Sequence, residues 1–85
     1  MAKGSRTKPG PVSLALAPIL KDAFLELLIT QEKFGELLGD IPQSTVSVYL
    51  LGERALDMDL FVKMCRVLTV DPVEVLSAAL HAAEQ

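Results

Sequence analysis

Between Thr30 and Gly52 the chain carries two short apolar repeats of helical period, each closed by a glycine. Thr30 is a capping type placed just before Gln31–Leu38, where Phe34, Leu37 and Leu38 form an inner stripe. Gly39 stops that helix, Asp40, Ile41 and Pro42 make the turn, and a further helix runs from Gln43 to Leu51 before Gly52. So few connecting residues force the two helices to cross closely at a steep angle. Gly35 falls where the other backbone would approach, and a larger side chain there would push the pair apart. Ile41, Val46 and Tyr49 are placed to pin the second of these helices to a core.

The flanking segments read as helices too. Upstream, Leu16, Leu20, Ala23, Phe24 and Leu27 recur at helical spacing. Ser13 is a candidate cap, and Pro18 suggests that the regular helix begins near Ala17, with the proline in its first turn. Downstream, Asp57 caps a helix with Met58, Phe61, Val62, Cys65 and Leu68 on its apolar face. Asp71 caps another, with Pro72 at its first position and Val75, Leu76, Ala79, Leu80 and Ala83 along one side. No strand-like alternation of useful length and no repeat is present. The expectation is an all-α, compact bundle of about five helices, built by one domain over residues 12–85 behind a flexible basic arm, 1–11.

Charge is unevenly placed. The net charge is −3, yet the first ten residues hold three basic side chains, Lys3, Arg6 and Lys8, and no acid. The remainder has five basic and eleven acidic side chains, a balance of −6. Residues 12–29 are apolar but interrupted by Lys21, Asp22 and Glu26, short of the roughly 20 uncharged residues a membrane span needs. The basic start followed by apolar residues mimics a secretory leader, but Pro18 and Lys21 close the stretch early, so no cleavage is expected. The single cysteine, Cys65, reads as a buried thiol in a reducing compartment, and with one histidine, His81, there is no metal-ligand set. No cofactor, no small-molecule ligand and no membrane association is expected. Without a glycine-rich phosphate loop or a nucleophile–histidine pair, the chain does not read as an enzyme.

A capped helix, a tight turn, a second helix, a glycine stop and a basic residue, Arg54, suit a helix-turn-helix. The segment TQEKFGELLGDIPQSTVSVYLLGER resembles the helix-turn-helix of the lambda-repressor-like family, of Cro and XRE type. LDMDLFVKMCRVLTVDPVEVL is similar to that family's fourth and fifth helices. The resemblance covers roughly residues 19–76 and implies a lambda-repressor-like bundle whose helices 2 and 3 form the DNA-reading unit. There are departures. Asp40 looks like one extra residue in the turn, and Val48, Leu50 and Leu51 stand where the family usually shows polar side chains.

On the third helix Val46, Tyr49 and Leu50 fall on one inward face, while Gln43, Ser44, Ser47, Val48 and Leu51 lie opposite. A stripe of small and amide side chains can enter a major groove. Gln43 can pair bidentately with adenine, Ser44 and Ser47 can bond base edges, and Val48 can pack on a thymine methyl. Thr45, Arg54 and Lys33 are phosphate candidates, and the resemblance implies the same role for Gln31. Lys3, Arg6 and Lys8 can wrap the duplex. The acidic folded part limits phosphate contacts per monomer, which favours a homodimer on a palindromic operator, with half-sites about one helical turn apart. Leu80, Ala79 and Ala83 are the candidate dimer surface. The function expected is sequence-specific double-stranded DNA binding by a small cytoplasmic transcription regulator, of phage repressor or Cro kind. The alternative is a protein–protein interaction module that reuses the same scaffold, its third helix facing a protein groove.

Overall fold

The computed structural model describes residues 8–84 and arranges them as five helices, with no strand among the described residues. These are α1 (Pro11–Leu27), α2 (Gln31–Leu37), α3 (Gln43–Leu50), α4 (Met58–Leu68) and α5 (Pro72–Ala83). None is long and apolar enough to cross a membrane.

α1 starts earlier than expected. Pro11 is its first residue, Gly10 precedes it in an extended conformation, and Ser13 is not the cap. Pro18 therefore sits in the helix interior, where it lacks an N–H for the Leu14 carbonyl and its ring crowds that oxygen. The break does not happen because the surrounding turns are held by burial. Leu16, Ala17, Leu20 and Phe24 are buried while Pro18 itself is exposed. Burying each large side chain contributes about 1.5–3 kcal/mol, so three of them exceed the proline penalty of about 3 kcal/mol. α1 ends on Leu28, an exposed non-glycine residue in the left-handed region at φ 59°.

Thr30 caps α2 as expected, its hydroxyl oxygen accepting the Lys33 N–H at 3.0 Å. Phe34 and Leu38 are buried, but Leu37 is half exposed, a correction to the predicted stripe. The buried face is flanked by Gly35 rather than Leu37, because the turn and α3 approach on the Gly35 side. The turn itself uses two consecutive positive φ values, 107° at Gly39 and 61° at Asp40. Their N–H groups both donate to the Glu36 carbonyl, and the Ile41 N–H donates to the Gly35 carbonyl at 2.9 Å. A side chain on Gly35 would collide with the Ile41 carbonyl oxygen and press on Val46 Cγ2 at 3.3 Å. Glycine is thus what lets α2 and α3 cross at this distance.

Asp57 and Asp71 cap α4 and α5 through the Leu60 and Val73 N–H groups, at 2.8 and 2.9 Å. Phe61, Met64, Cys65 and Leu68 form the buried stripe of α4, whereas Met58, expected on it, is exposed at the first turn beyond the reach of the core. α5 lies along α1, with Val75 and Ala79 buried. Phe24 of α1 and Phe34 of α2 stack tilted, ring centroids 5.2 Å apart, at the centre. Burial and the nearby Asp71 carboxylate push the Cys65 thiol above its ordinary pKa.

Candidate nucleic-acid interface

α3 is gripped along one face. Val46 and Leu50 have 0% and 3% exposure, and α1 and α2 both pack against the helix. Its end is pinned by Gly52, which is buried at φ 75°; a Cβ there would lie 3.2 Å from the Ala17 Cβ of α1. A side chain here would add strain at that positive φ to a tight approach, and glycine avoids both.

The remaining faces of α3 carry the residues singled out for base reading. Gln43 and Ser44 are exposed in its first turn, and Ser47 and Val48 are half-buried further along. Thr45 is half-buried as well. Tyr49, expected to face inward with Val46 and Leu50, is only half-buried, and Leu51, the C-cap, is exposed. The fold therefore gathers Gln43, Ser44, Ser47 and Val48 on one element, with the polar pair at its outer end.

The phosphate candidates surround this helix unequally. Gln31 opens α2 and is half-buried. Lys33 is exposed and paired with Glu36 at 3.8 Å, so part of its charge is already opposed. Arg54 is exposed just beyond α3, its guanidinium carbon 5.8 Å from the centroid of the Tyr49 ring. Lys63 of α4, whose pattern reads as plain helix surface, reaches the α2–α3 turn, its ammonium 3.7 Å from where a Gly39 Cβ would stand. Neither the Arg54–Tyr49 pairing nor the Lys63 approach has a sequence signal, since each depends on how separate segments pack. Lys8 is exposed ahead of α1, while Lys3 and Arg6 lie outside the described residues.

The candidate dimer surface needs one correction. Ala79 has 0% exposure and belongs to the core beside α1, so it is not offered to a partner. Leu80 is 45% exposed and Ala83 half-buried on α5, and Val73, two turns before Leu80, is exposed beside them.

A family model described as helix-turn-helix matches residues 20–75, more than half of the chain, from the middle of α1 to the first turns of α5. Comparison with curated proteins and with solved structures gives no match. The chain belongs to the helix-turn-helix family of Cro/C1 or XRE type, a family of DNA-binding regulators with an all-α, lambda-repressor-like fold.

Proposed function

We propose that this protein is a sequence-specific double-stranded DNA-binding transcription regulator, a small repressor of phage or Cro kind, with α3 as its reading helix in the major groove. The observation that carries this reading is the division of α3: Val46 and Leu50 are locked in the core while Gln43 and Ser44 stand free in its first turn. In a major groove Gln43 pairs with the N6 and N7 of an adenine, Ser44 and Ser47 bond base edges, and Val48 packs on a thymine methyl. Gln31, Thr45, Lys33 and Arg54 meet phosphates to fix the register. Arg54 is the strongest of the four, because among the described residues it has no ion pair, whereas Glu36 opposes Lys33.

The arm fits the same picture. The first turns of α1 pack beside Gly52, with Leu14 Cδ2 3.6 Å from its Cβ position, so the chain before Pro11 enters next to the C-terminal end of α3. Lys8 is thereby held near the same DNA, and the reading gives Lys3 and Arg6 the same role on charge alone. Each phosphate neutralised changes the log–log salt slope by about 0.9, so removing residues 1–10 flattens the dependence. An acidic folded part with few free cations favours two copies on a palindromic operator, joined through Leu80, Ala83 and Val73.

Exposed Leu51, at the end of α3, favours a second reading, a protein-interaction module. Selection from random duplexes separates the two. Enrichment of a defined site, with band shifts lost in Gln43→Ala and Ser47→Ala, supports base reading. No enrichment and no shift at low salt rejects it in favour of a protein partner.

A further inference from the structure

We infer that Tyr49 is a positioning residue whose ring holds the Arg54 guanidinium as a pre-set clamp for a DNA backbone phosphate at the C-terminal end of α3. The inference rests on the DNA-binding reading above and adds to it how one contact is made ready before DNA arrives.

Backbone geometry brings the two side chains together. After Leu50 the chain reverses through Gly52 at φ 75°, the Gly52 N–H donates to the Tyr49 carbonyl at 3.1 Å, and the Glu53 N–H donates to the Val48 carbonyl at 3.0 Å. These bonds fold residues 52–54 back over the last turn of α3. Tyr49 is half-buried, so its ring is anchored on the helix, and the Arg54 guanidinium carbon lies 5.8 Å from the ring centroid. That is within the range of cation–π attraction.

The chemistry of the pairing matters. An arginine held by a carboxylate spends its N–H fork on that acid. Among the described residues Arg54 has no such ion pair, although Glu53 is its neighbour in sequence. A ring engages the flat face of the guanidinium and leaves the N–H donors along its edge free. Those donors match a phosphate bidentately. The ring also removes rotamer freedom in advance, so less is lost when a phosphate is met. The Tyr49 hydroxyl has no part in this; the ring face does the positioning.

The test uses the full chain and a fluorescein-labelled, mixed-sequence B-form duplex at low salt, because a phosphate contact is read without regard to sequence. Arg54→Gln is expected to flatten the log–log salt slope by about 0.9. Tyr49→Leu, which keeps an apolar body in the half-buried seat, is expected to weaken binding about two- to fivefold. Tyr49→Phe keeps wild-type affinity, and Tyr49→Leu adds no further loss in an Arg54→Gln background. In the free protein the Arg54 δ-methylene protons resonate upfield through the ring current, in the wild type and in Tyr49→Phe but not in Tyr49→Leu. Equal losses from Tyr49→Leu in both backgrounds, or Tyr49→Phe as weak as Tyr49→Leu, would overturn the clamp while leaving DNA binding intact. Random-coil shifts for Arg54 in the wild type overturn it even if Tyr49→Leu does not fold. Failure of the wild type to bind any duplex removes the DNA-binding reading and the clamp with it.

Discussion

Gly35→Ala is expected to destabilise the protein by about 1–3 kcal/mol, against the sign that helix propensity alone would give. In an ordinary helix interior the exchange gains about 1 kcal/mol. Here the new methyl would overlap the Ile41 carbonyl oxygen and crowd Val46 Cγ2. The first of these is backbone and cannot rotate aside, so the turn must shift. Overpacking of this kind costs about 1–3 kcal/mol. Weakening the Ile41 N–H bond to the Gly35 carbonyl removes about 1 kcal/mol more. Subtracting the propensity gain leaves the stated range, a fall in Tm of about 5–20 °C for a domain of this size. Guanidinium and thermal unfolding followed by far-UV circular dichroism measure it. Ala78→Gly, at an exposed site inside α5, is the control and costs about 1 kcal/mol. A Gly35→Ala protein as stable as the wild type, or more so, would refute the claim that glycine sets the α2–α3 crossing.

Asp57→Ala removes the carboxylate that accepts the Leu60 N–H and should cost about 1 kcal/mol in chemical unfolding. Cys65, fully buried with its pKa raised by burial and by Asp71, should resist iodoacetamide in the native state and react at the rate of unfolding. Because the folded-state pKa of this thiol lies above the unfolded one, its contribution to stability is complete at lower pH. It falls as pH rises past the ordinary thiol range, and Cys65→Ala should abolish that part of the decline in unfolding free energy. Leu80→Asp should shift light scattering toward monomer without lowering Tm appreciably, since Leu80 is 45% exposed; an unchanged mass would reject α5 as the dimer surface.

Local chemistry made part of this fold legible. Thr30, Asp57 and Asp71 read as caps because a short oxygen-bearing side chain stands just ahead of an apolar period, and all three accept the N–H expected of them. Gly35 read as a close approach because a steep crossing of two short helices leaves room for no side chain. What failed depended on partners distant in sequence. Pro18 looked like a helix start, but packing of Leu16, Leu20 and Phe24 carries α1 through it. Leu37 and Met58 are exposed because near a helix end adjacent apolar residues compete for one inward direction and neighbouring helices decide between them, and Ala79 is buried because α1 covers the side of α5 it shares with Val75. Met64 took the core place that Met58 was expected to share. At the candidate interface the residues of α3 could be named from its period, but the pairing of Arg54 with Tyr49 could not. It arises from the chain reversal at Gly52, whose direction is set by α1 packing against it.

Presentation of α3 to a DNA groove is tested most directly by titrating ¹⁵N-labelled protein with a duplex recovered by selection and mapping the amide shifts. The largest changes should fall on Gln43, Ser44, Ser47 and Val48, with smaller ones at Gln31 and Arg54, and α5 should respond only if a dimer forms. Shifts centred elsewhere, with Gln43–Val48 unmoved, would contradict the assignment of α3 as the reading helix.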